Sequence, residues 1–316
     1  MADQDVEVDL LEPGEGEGDD FGDEWEELDV SDTEADRIAR KRDREFLEFR
    51  KRIKDADQFK VEASVFDDAT LGALYKLVQD GHIDAFGGPL STGKEANVYL
   101  AAGPESEVAV KIYRINASDF RSMRDYLEGD PRFEGIGSDK KKVVTAWTKK
   151  EYANLRRAIA AGVRVPEPIA VQRNVLVMEF LGTDGRRAHR LNEVNVENPE
   201  TAYEVVREYT RRLYDAGLVH GDLSEYNIVV HEGELALLDL GQAVTVHHPN
   251  HREFLERDCR NVADFFARAG AEADADELLD YVTRAREGDE AAPEEAPSVP
   301  GAEPDTEPDE SAEEPR

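Results

Sequence analysis

The stretch GGPLSTGKEANVYL, residues 87–100, constrains this chain most: its glycines announce a phosphate loop, and the residues after Lys94 decide which kind. From Gly88 it matches G-x-x-x-x-G-K through Gly93 and Lys94. A Walker-type loop next requires Ser or Thr, whose hydroxyl binds magnesium, and runs into a helix whose N-terminus faces the phosphates. Here the next residue is Glu95, and the alternation of ANVYLA predicts a strand. A loop between two antiparallel strands is the arrangement of the kinase-type glycine-rich loop, which covers the phosphates from above. The glycines are fewer than in G-x-G-x-x-G, so a plain hairpin turn competes with this reading.

Four further segments bear on the choice. VAVKIY, 108–113, stands where the next strand is due and sets Lys111 among apolar residues, in reach of nucleotide phosphates. An exposed-face lysine is the alternative. The helix predicted over 142–162 places Val144, Trp147, Glu151, Leu155 and Ala158 on one face. A carboxylate in the middle of an inward stripe needs a partner, because burying it unpaired costs several kcal/mol. Lys111 is the natural candidate, unless Glu151 lies at the rim and reaches out. LVHGDLSEYNIVV, 218–230, fits the kinase catalytic loop, with Asp222 as base and Asn227 as magnesium ligand, although an Asx-rich turn would look similar. In LALLDLGQAV, 235–244, Asp239 ends an apolar strand and opens a variant of D-F-G. It lies beyond Asn227 by the length of one hairpin, which brings both oxygen ligands back to a point, as magnesium requires. Four motifs in kinase order are far more specific than any one of them.

Composition marks off the ends. Residues 1–35 hold sixteen Asp or Glu and no Lys or Arg, and 287–316 hold twelve acids and one Arg. The tails therefore carry −27 of the net charge of −33. They are acidic, poor in apolar residues and predicted disordered. Ser31 and Glu34 resemble a capping box opening a charged helix through about Lys54, and a second helix is expected over 68–80. Arg outnumbers Lys 27 to 12, which with the acid excess suggests a salt-loving organism with a G/C-rich genome. One cysteine, Cys259, excludes an internal disulfide and suits a cytoplasmic protein. No apolar run approaches the roughly 18 residues of a membrane span, and the first thirty residues are too acidic and too polar for a signal peptide to be expected there. Neither membrane nor DNA is expected as a partner.

At STGKEANVY (91–99), VAVKIY (108–113), DPRF (130–133), HGDLSEYN (220–227) and HPNHREFLERDC (248–259), the sequence resembles the RIO atypical serine/threonine protein kinases. Within them it resembles the first branch, the one without a winged helix, over about residues 60–270. The resemblance implies an α+β, small two-lobed protein-kinase-like fold: an antiparallel sheet in the N-lobe, a mostly helical C-lobe, and helices in front. The expected division is an acidic tail over 1–35, N-terminal helices over 36–81, N-lobe and linker over 82–181, C-lobe over 182–286, and a second acidic tail over 287–316. The resemblance further implies that Ser91 and its neighbours form the phosphate loop, that Lys111 contacts ATP phosphates, and that Glu151 pairs with it. Glu179 and Leu181 match the linker that hydrogen-bonds adenine through backbone groups, with Met178 guarding the pocket. Asp222 is the implied catalytic base, Asn227 and Asp239 the implied Mg2+ ligands, and Asp239 an implied acceptor of phosphate. The family also implies ATP turnover coupled to maturation of the small ribosomal subunit, with pre-ribosomal RNA and protein as partners. Segment 114–142 corresponds to a flexible loop of the family; its DKKK run is either solvated or set against RNA phosphates.

Departures from ordinary protein kinases are informative. Gly221 stands in place of the arginine before the catalytic aspartate, and Ser224 where many kinases place a lysine. Only QAVTVHHP separates the metal-binding turn from Asn250, which with Glu253 looks like the N-cap and N3 pair of the next helix, too short a span for an activation loop. These departures imply slow, switch-like turnover. Two alternatives stand: a nucleotide-binding scaffold on pre-ribosomal particles, and a small-molecule kinase, for which 182–286 offers scant room. The histidines of HHPNH lack regular ligand spacing for zinc.

Overall fold

The computed structural model describes residues 66–115, 120–127, 130, 133 and 139–284, together with Arg44 and Glu48. Residues described from 66 onward lie in a compact unit spanning Glu48–Arg316; of a second unit, Met1–Leu47, only Arg44 is described, exposed and helical. The acidic tails and most of the charged helix expected from Ser31 to Lys54 lie outside the described residues.

Helix α1, Asp68–Gln79, begins where Asp67 accepts the Thr70 amide at 2.7 Å. Its Leu71, Leu74 and Leu77 are fully buried, each contributing roughly 2 kcal/mol of apolar burial. Strands β1 (Ala85–Thr92), β2 (Ala96–Ala102), β3 (Glu107–Tyr113), β4 (Pro168–Gln172) and β5 (Val175–Glu179) form an antiparallel sheet in the order β1-β2-β3-β5-β4. The phosphate-loop candidate is thus the turn between β1 and β2, and the Walker arrangement is excluded. Strand β1 is an edge, and its register slips on either side of Pro89, which has no amide hydrogen to pair. Strand β3, hydrogen-bonded to β2 on one edge and β5 on the other, is buried from Val108 to Tyr113.

Helix α2, Phe120–Leu127, occupies part of the segment expected to be a loop. Its Met123 and Leu127 bury against Tyr113, Val143, Val144 and Trp147, and that apolar spacing overrides the polar composition. Helix α3, Lys140–Ala160, begins inside the DKKK run: Asp139 caps it by accepting the amides of Lys141 and Lys142. The lysine run is therefore the first turn of a helix rather than a loop.

Past β5, two short hairpin strands, β6 (Gly182–Thr183) and β7 (Arg186–Arg187), lead to β8 (His189–Arg190) and a single 3-10 turn, Leu191–Glu193. Helix α4 (Pro199–Asp215), β9 (Leu218–Val219), β10 (Ile228–His231), β11 (Glu234–Leu237), β12 (Val244–Thr245), α5 (His251–Ala269) and α6 (Ala275–Thr283) complete the second lobe. Strands β10 and β11 form the hairpin expected between Asn227 and Asp239. The second-lobe core gathers Val206, Leu223, Leu240, Val262 and Phe266, and reaches up to Leu155 and Ala158 of α3. Helix α3 thus packs into both lobes and fixes the height at which its side chains face the cleft. Asn250 precedes α5 but makes no side-chain capping bond. His248 takes that place: its Nδ1 accepts the Asn250 amide at 3.1 Å, and its carbonyl bonds His251 Nδ1 at 2.8 Å. Among the described residues no helix is long and apolar enough to cross a membrane.

Candidate active site

Strand β3 carries Lys111 into the cleft, and α3 brings Glu151 to meet it. The Lys111 Nζ donates to Glu151 Oε1 at 2.7 Å and to Asp239 Oδ1 at 2.9 Å. Three of the sequence-selected residues, from three separate elements, therefore meet at one nitrogen. Their side-chain exposures differ in a telling way: 8% for Lys111, 2% for Glu151 and 49% for Asp239. The first two are locked away, whereas Asp239 sits deep in the cleft and turns half its surface to open space.

Burial works against the Lys111 charge, but Asp239 and Glu151 outweigh it and hold the ammonium well above its usual range. Burial pushes Glu151 up, and the Asp239 charge adds to this against the pull of Lys111. Asp239 is also pushed up by its surroundings, yet Lys111 wins and keeps it below the usual carboxylate range. Tyr113, two residues beyond Lys111, donates its hydroxyl to Glu151 Oε2, so both oxygens of this buried carboxylate are satisfied.

The turn after β9 carries the other pair. Asn227 Nδ2 donates to the Asp222 carbonyl at 2.8 Å and to its Oδ2 at 3.1 Å. Partial burial and the nearby Asp239 charge raise the Asp222 carboxyl, while Asn227 and Arg257 oppose the shift. His220 is buried with its Nε2 3.0 Å from the Leu238 carbonyl, and burial keeps the ring below its ordinary pKa. Two residues that carried no role in the sequence reading hold this turn from α5. Asp258 accepts the Gly221 amide at 2.7 Å and the Leu223 amide at 2.9 Å, and Arg257 donates to the Gly221 carbonyl. Both belong to the ERDC stretch, but nothing local in that stretch says that the helix packs beneath the turn holding Gly221 and Leu223.

A cavity of about 480 Å³ opens between the lobes. Val98, Ala109, Met178, Val229 and Leu238 give it apolar walls; Ser91, Lys111, Glu151, Asn227 and Asp239 line it too, as do Glu179 and Leu181. Asp222 is not in the lining and reaches the site through Asn227. At the linker, the Glu179 carboxylate is taken by Arg164 at 2.7 and 2.6 Å, and its amide donates to the Glu167 carbonyl at 2.8 Å. The Leu181 carbonyl accepts the Ala188 amide at 2.8 Å. Among the described residues no three His, Cys, Asp or Glu side chains cluster as a self-contained metal site.

A five-stranded antiparallel sheet over a mainly helical lobe, with a Lys–Glu pair and an Asn/Asp hairpin around an interlobe cavity, defines the protein-kinase-like class. The RIO domain family model matches residues 97–278. The chain is 73% identical over 278 residues to the RIO-type serine/threonine-protein kinase Rio1 of Haloferax volcanii, covering 88% of this chain and 95% of that one. It is 37% identical over 255 residues to the Rio1 of Methanocaldococcus jannaschii, covering 80% and 87%. With human serine/threonine-protein kinase RIO1 it shares 39% over 267 residues, 82% of this chain but 46% of that longer relative. Among solved structures, the Rio2 kinase of Chaetomium thermophilum matches at 25% identity and a TM-score of 0.54, covering 67% of each chain. The ADP/Mg2+-phosphoaspartate complex of that kinase matches at 25% identity and 0.51, covering 63% and 60%. The chain belongs to the RIO family of serine/threonine-protein kinases, and within it to the Rio1 type.

Proposed function

We propose that this chain is an ATP- and Mg2+-dependent phosphotransferase and ATPase of the RIO type, with lobes at 82–181 and 182–286. The observation that carries the reading is the Lys111 ammonium held at 2.7 Å by Glu151 and 2.9 Å by Asp239, at the edge of a cavity with apolar walls. The cavity volume suits a small-molecule cofactor. The half-exposed Asp239 is an anionic oxygen donor turned toward it, as a magnesium–nucleotide site requires. The residues present therefore fit ATP and Mg2+.

In this reading the apolar walls would hold the adenine, with Met178 guarding the pocket and the backbone of Glu179 and Leu181 orienting the base. Ser91 and the β1–β2 turn cover the phosphates, and Lys111, held by Glu151, contacts them. Asn227 and Asp239, both in the cavity lining, would hold the metal as oxygen donors. When bound, ATP and Mg2+ supply the transferable phosphoryl group and the charge that neutralises it. Asp222 accepts the proton of the acceptor hydroxyl, and Asn227 keeps its carboxylate aimed. The chemistry of the Rio2 complex, whose name includes phosphoaspartate, supports Asp239 as a phosphate acceptor here.

We place this activity in small ribosomal subunit maturation, in a cytoplasmic protein with pre-ribosomal RNA and protein as partners. The support is the resemblance to the RIO family, whose first branch the chain matches. Incubation with γ-labelled ATP and Mg2+ tests the chemistry: it should release phosphate and leave a hydroxylamine-sensitive label that Asp239→Asn abolishes. An acid-stable, base-labile label on serine that survives Asp239→Asn would instead mean ordinary protein phosphorylation. In cells, Asp222→Ala should lose function while ribosomal binding survives. An unchanged phenotype would favour a nucleotide-binding scaffold.

A further inference from the structure

Helix α3 has a second set of inward side chains, next to the one that carries Glu151. Lys150 is fully buried, and its Nζ donates to the Gly241 carbonyl at 2.9 Å. The same nitrogen lies 4.8 Å from the Trp147 ring centre and 5.9 Å from that of Tyr126. One turn on, Asn154 Nδ2 donates to the carbonyls of Leu240 and Ala243, both at 3.1 Å. Three carbonyls of the five residues that start at Asp239 are thus gripped by two side chains of one helix. The contact is tight: a Cβ at Gly241 would come within 2.9 Å of the Tyr113 hydroxyl and 3.1 Å of Trp147 Nε1.

We infer that Lys150 and Asn154 form a clamp that positions Asp239, so that the helix bearing Glu151 and the turn bearing the metal-facing carboxylate move as one body. The inference rests on the reading of Asp239 as a magnesium ligand. Asp239 stands at φ 58°, left-handed backbone that a non-glycine residue holds only when its surroundings impose it. Two polar grips immediately C-terminal to it supply that imposition. In ordinary protein kinases, activation-loop phosphorylation controls whether the Lys–Glu pair and the metal-binding aspartate stand in place together. Here only residues 242–250 separate the turn from α5, and the clamp joins the two parts directly. Both are positioning residues, since neither lines the cavity.

Calorimetric titration of the full chain with ADP, in EDTA and in saturating Mg2+, tests the clamp. In Lys150→Met and Asn154→Ala, ADP affinity in EDTA should stay within about twofold of the parent. The gain from Mg2+ should fall by about tenfold, as for residues that orient a metal ligand. Asn154→Ala leaves the buried lysine in place and decides the matter if Lys150→Met does not fold. A folded Asn154→Ala protein with the full magnesium gain overturns the clamp, and so does an equal loss in both conditions. Asp239→Asn, run alongside, separates this from the parent reading. If it keeps the magnesium gain, the ligand role of Asp239 fails and takes the clamp with it. If it loses the gain while Asn154→Ala keeps it, the clamp alone fails.

Discussion

Gly221 occupies the position at which ordinary protein kinases carry arginine, and its surroundings leave no room for a side chain. Its φ is 79°, and a Cβ there would sit 2.8 Å from the Gln242 carbonyl oxygen, a backbone atom with nowhere to go. Gly221→Ala should therefore cost about 1–3 kcal/mol of stability, read as a lowered urea midpoint, and should reduce phosphotransfer because Asp222 is the next residue. Asp258, which receives the Gly221 amide, adds a pH dependence. Burial pushes its carboxyl up to about 7, against the two amides and Arg257 that favour the charged form. Between the ordinary carboxylate range and pH 7, the unfolded chain has lost this proton while the folded chain keeps it. Stability must then fall as pH rises through that window, by up to about 1.4 kcal/mol per pH unit from this group, and level off above it. Urea denaturation of the parent and Asp258→Asn at pH 5, 6, 7 and 8 isolates the effect from the other acids. The parent should lose stability relative to the variant up to pH 7, and parallel curves would show that Asp258 is charged throughout.

Among elements, α3 was the most legible in the sequence, because five inward positions recur at helical spacing and one is a carboxylate. The β10–β11 hairpin was legible for a similar reason: two apolar runs joined by a short glycine turn have one way to pair. What could not be read was which partner meets the second inward face of α3. Lys150 stands in a KKE run that looks like solvated surface, and its burial depends on Tyr126 and Gly241, distant in the chain. Helix α2 was missed because its short apolar set, Met123 and Leu127, gains meaning only against Val144 and Trp147. Tyr113 was likewise hidden, since a strand pattern cannot say that its hydroxyl meets Glu151. Tyr113→Phe would leave a buried carboxylate oxygen short of a donor, and the expected loss is about 1–3 kcal/mol in thermal or urea unfolding. A neutral result would mean that water replaces the hydroxyl. At the linker, Arg164 grips Glu179 through both oxygens. Glu179→Gln breaks that fork and should raise the KM for ATP several-fold with little change in kcat, because a loosened linker weakens substrate and transition state alike. A fall in kcat at constant KM would contradict that assignment.

At the scale of the whole molecule, charge is distributed in two regimes, of which only one responds to salt. The chain carries −33, with 72 acidic side chains against 39 Lys and Arg, so its surface repels itself. The charges in the cleft are different: Lys111 and Glu151 are buried, and their 2.7 Å contact is shielded from mobile ions by the lobes around it. Ions act over a screening length of about 10 Å at 0.1 M and about 3 Å at 1 M. Added KCl should therefore relieve the surface repulsion and leave the Lys111–Glu151–Asp239 contacts intact. The melting temperature should climb as KCl goes from 0.1 to about 1 M and flatten once the screening length is shorter than the spacing of surface acids. Sucrose at matched osmolality separates screening from general exclusion of solute. An equal rise in sucrose would remove the electrostatic explanation, whereas a rise specific to KCl that also appears in Lys111→Met would show that the buried cluster plays no part in it.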